Sequence, residues 1–493
     1  MAIDGRTAEK LRGFLRDLTP RARAMLLAEL ERGEQRGEPL PGSDLIVREL
    51  RNAGQTQPRP APPSATAQPS APAGPASSAE PPARPSDPDA PVRLFFTFLE
   101  PFFVDDVPES LHPGRISRAA AAPIWEWIGR DLIPTESMAY ASEVARLIPG
   151  GDAKASPAAA AFYERVAQAI DKALTEVARD DKARRKLATQ IGTPRALDDV
   201  RYLAAVLKAR DVLAVLAGKL PPKIRNLTDE LIASVAEFVG STVSRHREVY
   251  VMALVMVMGR LVSPWQLIRF GVKAANSDFP ARIAETPYAP AVSIVLADLE
   301  RMVRELEIDL RRGEAMAQPS LLRDIHDAAR GLRTEVDLSG DSQWSRMLAA
   351  IRGQFAVTLR PEIESTPGRV RRMLRVRPSK DIVPGSILDA TEVDETEALI
   401  GFVGLCRSYA NELAINEMTM RAFSEVQNYL ETHTDQLLEG LRNAGKADRS
   451  YRQSQFDAAV RFCAKIFGPE YAETLIKAAD VAVASERKAA AKA

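Results

Sequence analysis

The stretch from Gln55 to Val92 carries twelve prolines in 38 residues, and most of the remainder is Ala and Ser. Proline lacks an amide donor and disfavours helix in the residue before it. Few side chains here could fill a core. The stretch therefore reads as a disordered, locally extended tether, and it divides the 493-residue chain into a short first part and a long second one.

Residues 1–54 read as a small helical module. Ala8, Leu11, Phe14, Leu15 and Leu18 recur at helical spacing. Thr19-Pro20 starts a second helix with Met25, Leu26 and Leu30, which Gly33 and Gly37 end, and Ser43-Asp44 starts a third with Leu45, Ile46 and Leu50. A module of this size has a marginal core by itself. It is expected to pack on a partner, on a second copy or on the rest of the chain.

Residues 93–484 are expected to form an all-α, multi-helix, bundle-like body, with a possible sub-boundary near 280–290 and a frayed tail over 485–493. The hydroxyl-proline pairs Ser156-Pro157, Thr193-Pro194 and Ser263-Pro264 each precede a helical pattern, with Thr286-Pro287 and Thr366-Pro367 as weaker examples. A hydroxyl caps free amides, and Pro suits the first helical position; Ser263 and Gln266 complete the pattern of a capping box. Val292, Leu296, Leu299, Val303, Leu306 and Leu310 alternate by four and three, with Glu300–Arg304 and Glu307–Arg311 as supporting pairs. This is the seam of a packed helix pair, too short for a sustained coiled coil. Leu399, Phe402, Val403 and Cys406 mark a later helix. Phe423, Val426, Leu430, Leu437 and Leu441 mark the next, and Phe456, Val460, Cys463 and Phe467 the one after. No fixed repeat period of the solenoid kind is present.

The most apolar run is Val249 to Gly259. Eleven helical residues span about 16 Å, roughly half a bilayer core, so the run reads as a helix buried on all sides. Lys+Arg and Asp+Glu are both 66, so no global field recruits nucleic acid or lipid. Arg in excess of Lys, with abundant Ala, suggests a GC-rich bacterial genome. Two cysteines, Cys406 and Cys463, are too few for a disulfide framework or a zinc site and read as core residues. No signal-peptide pattern opens the chain, and a reduced, cytoplasmic setting is expected.

The search for chemistry finds no phosphate-binding glycine loop, no nucleophile elbow and no helical pair of zinc-binding histidines. The histidines His112, His246, His326 and His433 read as surface or interface residues. Asp389, Glu392, Asp394, Glu395 and Glu397 could attract a hard cation, but their spacing fits no EF-hand loop; Thr391 as an N-cap, with acids in the first turn, accounts for them better. Glu126 between Trp125 and Trp127 could be a carboxyl in an aromatic pocket, or could point to water while the rings anchor a helix. No cofactor, metal ligand or catalytic residue is assigned.

The remaining feature is basic. Arg369, Arg371, Arg372, Arg375, Arg377 and Lys380 occur with no acid between Ser365 and Lys380. Val370, Met373 and Leu374 can anchor one helical face and leave most guanidinium groups outside. Arg suits bidentate contact with carboxylate or phosphate, whereas the aromatic interleaving of a single-strand binder is missing. Neutralisation by the acidic stretch that follows is the structural alternative. The resulting expectation is a non-enzymatic scaffold or regulatory adaptor of the bacterial cytosol. Its protein partners would dock on the N-terminal module and on the six-residue basic patch. Peripheral association with nucleic acid or an anionic membrane through Arg369–Lys380 is the second reading, and an enzyme with a site assembled from dispersed residues is the third.

Overall fold

The computed structural model describes residues 90–105, 113–147, 157–193, 195–243, 247–313 and 319–490. The N-terminal module, the tether up to Asp89, His112, Ser156, Pro194 and His246 lie outside the described residues.

Seventeen α-helices are described. They are α1 (Ala90–Thr97), α2 (Ala121–Trp127), α3 (Pro134–Leu147), α4 (Pro157–Val177), α5 (Asp181–Ile191), α6 (Ala196–Lys219), α7 (Asp229–Val243), α8 (Arg247–Met258), α9 (Arg269–Ala275), α10 (Pro280–Ala284), α11 (Pro290–Arg312), α12 (Pro319–Glu335), α13 (Gln343–Leu374), α14 (Ala390–Leu413), α15 (Asn416–Arg442), α16 (Arg449–Phe467) and α17 (Pro469–Ala490). The described sheet is one short parallel pair, β1 (Phe103–Val104) on β2 (Ile116–Ser117). The body is therefore all-α. Among the described residues no helix is long and apolar enough to cross a membrane.

Helix α1 begins at Ala90, so the last three residues of the stretch assigned to the tether are its first turn, with Ala90 and Pro91 buried. At the other end α17 runs to Ala490, into the residues assigned to a frayed tail. The apolar run in α8 is buried as its composition demands: Met252, Val255 and Val257 are fully enclosed. The α11 seam packs on α12 and α13, with Val292, Leu296 and Leu306 wholly buried. On its outer face Arg304 lies 2.8 Å from Glu300, and Arg311 pairs with Glu307.

The proline signals resolve unevenly. Gln266 makes no capping box with Ser263, whose side chain caps nothing. Its buried amide instead accepts from Leu227 N at 2.7 Å and donates to Arg225 O at 3.1 Å, tying the turn before α9 to the loop before α7. Thr193 does not cap α6; its hydroxyl donates to buried Asp199, which also accepts from Ser117 N at 3.0 Å. Thr366-Pro367 starts no helix. Both residues sit inside the continuous 32-residue α13, where tertiary packing outweighs the hydrogen bond that a proline removes.

Two hydrophobic cores result. Ile283 and Tyr288 belong to the larger core, which extends from Ala90 to Ala422. The smaller core begins at Val370 on α13 and gathers Ile400, Val426, Leu430, Phe456 and Phe462 with residues of α17.

Candidate anion-binding surface

The basic cluster straddles the end of α13. Its last turns bury Val370, Met373 and Leu374 against the smaller core, which turns Arg371 and Arg372 outward. Helical periodicity alone fixes that division. The chain then leaves the helix at Arg375 and continues through Pro378 to the N-terminus of α14.

α16 holds this exit in place. Gln455 is 1 % exposed, and its amide donates to Met373 O at 3.0 Å and to Arg375 O at 2.9 Å. These are carbonyls that a helix end leaves without intrahelical donors. One turn earlier, Arg452 donates to Arg377 O at 3.3 Å and to Ser379 Oγ at 3.1 Å. Asp448 accepts from Ser379 Oγ at 2.8 Å and from Arg452 Nε at 2.7 Å. The Arg452 hydrogen bond, and then that of Ser379, hold the Asp448 carboxyl below the usual carboxylate range, against the opposing effect of burial. None of Asp448, Arg452 and Gln455 stands out in the sequence as a site residue. The spacing of four between Asp448 and Arg452 is a legible signal for their pair.

The six cluster residues are thus displayed differently. Arg369 is half-buried and lies 3.7 Å from Glu395. Arg371 is exposed and meets Glu425 at 2.7 Å. Arg377 places its guanidinium 5.6 Å from the centroid of the Tyr451 ring. Arg372, Arg375 and Lys380 are exposed and have no ion pair or side-chain hydrogen bond among the described residues. The acidic stretch does not neutralise them. Asp389 caps α14 by accepting from Thr391 N at 2.8 Å, so the cap is Asp389 and not Thr391. Asp394 and Glu397 bind Arg461 of α16 at 2.6 and 2.7 Å, and Glu397 also meets Lys465 at 3.4 Å. Exposed Val376, Val383 and Ile387 follow on the same segment, the last two 71 % and 68 % exposed.

The other candidates are placed in structural roles. Glu126 is exposed, while Trp127 is buried and Trp125 packs 5.3 Å from Phe95 in an aromatic cluster that includes the stacked Tyr140–Phe162 pair. His326 stacks on Tyr409 at 4.5 Å and His433 on Tyr429 at 4.0 Å. Burial pushes the Cys406 thiol up to about 12 and the Cys463 thiol up to about 11. Such thiols stay protonated and unreactive at neutral pH. Comparison with protein families, with curated proteins and with solved structures finds no match.

Proposed function

We propose that the protein is a non-enzymatic helical adaptor of the bacterial cytosol that binds an acidic protein segment on the surface from Arg372 to Ile387. The supporting observation is the trio Arg372, Arg375 and Lys380, exposed and without an ion pair among the described residues, on the same segment as exposed Val376, Val383 and Ile387. Three such cations next to apolar side chains fit a partner that alternates carboxylates with apolar residues. A nucleic acid would ask for aromatic platforms or a longer cationic track, and the segment from Arg375 to Asp389 contains no aromatic residue. Arg369 and Arg371, already engaged by Glu395 and Glu425, border the surface. The N-terminal module would act as a second docking element at the end of its tether.

The test uses the full chain and its Arg372→Gln, Arg375→Gln, Lys380→Gln variant. A fluorescent peptide of alternating Glu and Leu should bind the wild type and weaken as salt rises. The variant, with unchanged circular dichroism, should bind it at least about tenfold more weakly. Equal binding by both proteins would mean that the trio is a solvated face. Tighter binding of a single-stranded oligonucleotide than of the peptide would replace the protein partner by nucleic acid.

A further inference from the structure

α11 forms one wall of a cavity of about 490 Å³, faced on the other side by β1, Asp105 and Arg115, the residue before β2. The volume lies within the range of small-molecule sites, roughly 300–1,000 Å³. The wall is charged, and most of its charges are engaged. Arg301 meets Asp298 at 3.0 Å and Glu305 at 2.8 Å, Arg304 meets Glu300 at 2.8 Å, and Asp105 is bound by Arg118. Three lining groups are not engaged in this way.

The first is Arg115. Its side chain is half-buried, and neither of its contacts is a carboxylate: Nη1 donates to Pro101 O at 2.8 Å, and Nη2 lies 4.0 Å from the Met258 sulfur. Among the described residues no carboxylate pairs with this cation directly, and burial pushes its pKa down although the charge of Asp298 acts in the opposite direction. The second is Arg312, exposed at the rim and without an ion pair or hydrogen bond among the described residues. The third is Asp309, only 8 % exposed and likewise without an ion pair or side-chain hydrogen bond among the described residues. A guest with complementary charge would give each of these two cations and one carboxylate a partner. Phe103 and Ile308 supply apolar surface between them.

We propose that this cavity binds a small polar molecule that carries an oxyanion, phosphate or carboxylate, close to a hydroxyl or amino donor. The oxyanion meets Arg115 and Arg312, whose planar guanidinium groups suit bidentate contact, and the donor meets Asp309. Arg312 also faces a neighbouring pocket that Arg369 and Glu395 line, but the proposal does not depend on the adaptor reading.

Calorimetric titration of the full chain with glycerol phosphate and with glycerate tests it, because the probes share hydroxyl donors and differ in the oxyanion. At least one should bind, and the tighter of the two identifies the anion. Arg115 is built into the fold, so the diagnostic variants are at the rim and the acceptor. Arg312→Gln should weaken the bound probe by about tenfold. Asp309→Asn should shrink the preference for that probe over its counterpart without the hydroxyls, propyl phosphate or propionate. The variant Arg372→Gln, Arg375→Gln, Lys380→Gln should bind the probe as the wild type does. Failure of both probes to bind, indifference to Arg312→Gln, an unchanged preference in Asp309→Asn, or loss of binding in the triple variant would each overturn the proposal.

Discussion

A Cβ built on Gly331 in α12 would lie 2.4 Å from two ring carbons of Trp265 and 2.9 Å from its Cγ. The last of these atoms is close to the stem of the side chain, so the ring cannot swing aside without moving its own attachment. Gly353, in the middle of α13, is exposed and has nothing within 4 Å of the same position. Alanine in place of glycine gains about 1 kcal/mol of helix propensity at either site. Overpacking costs about 1–3 kcal/mol, and only Gly331 incurs it. Gly331→Ala should therefore lower the stability of the protein by up to about 2 kcal/mol, whereas Gly353→Ala should raise it by up to about 1 kcal/mol. Urea unfolding of the two variants reads both signs. A stabilised Gly331→Ala would mean that α12 and the turn at Trp265 are not in contact as described.

Between elements, the decisive contact is the one that α16 makes with the end of α13. Asp448 is 4 % exposed, and its carboxyl is held low by Arg452 and Ser379. A depressed folded value stabilises the native state above the unfolded value, about 3.9, and the contribution is lost as the pH falls through the folded one. Asp448→Asn, which leaves Arg452 without its carboxylate, should cost about 1–3 kcal/mol at neutral pH. The gap to the wild type should narrow below about pH 4; a gap that stays constant down to acid unfolding would show that Asp448 is not coupled to Arg452. The helices on both sides of this contact are legible in the sequence. Leu399, Phe402 and Val403 on α14, and Phe456, Val460 and Cys463 on α16, repeat with the helical period because one face of each is buried. The basic residues on α13 are legible as outward-facing for the same reason. What joins the elements is not legible. Gln455 serves carbonyls about eighty positions away, and Gln266 serves a loop forty positions away rather than its own helix. A local pattern records which face is buried, but not which distant backbone group a buried amide will satisfy. The cavity at Arg115 is hidden for that reason too, since α11, β1 and Arg115 meet only in the folded chain.

At the scale of the whole molecule, the two cores share three helices, and each enters the smaller core by one end. The final turns of α13 from Val370, Val393 and Ile400 in the first turns of α14, and α15 from Val426 onward lie in the smaller core, while the other buried residues of these helices, Leu399 among them, pack in the larger one. α16 and α17 contribute to the smaller core alone. Opening that core therefore requires three helix ends to fray and two helices to detach, with the larger core left standing. Pro367 eases the first of these steps, because the helix already lacks one backbone hydrogen bond there. Several contributors to the smaller core are alanines, Ala458, Ala459, Ala472 and Ala479 among them; they bury little apolar area each, and buried area sets the free energy of local opening. Amides of α16 and α17 should accordingly exchange with solvent at a lower opening free energy than those of α8, where Met252, Val255 and Val257 are fully buried. Phe456→Ala sharpens the test, because Phe456 is 1 % exposed and its truncation should cost about 3–5 kcal/mol. Exchange should accelerate in α16, α17 and the second half of α15, with α8 unchanged. Because Gln455 and Arg452 carry the exit of α13, the same variant should also weaken binding of the acidic peptide, although no residue of the exposed trio has been altered. Uniform acceleration across α8 and α16 would instead make the body a single cooperative unit, with the adaptor surface as rigid as its deepest helix.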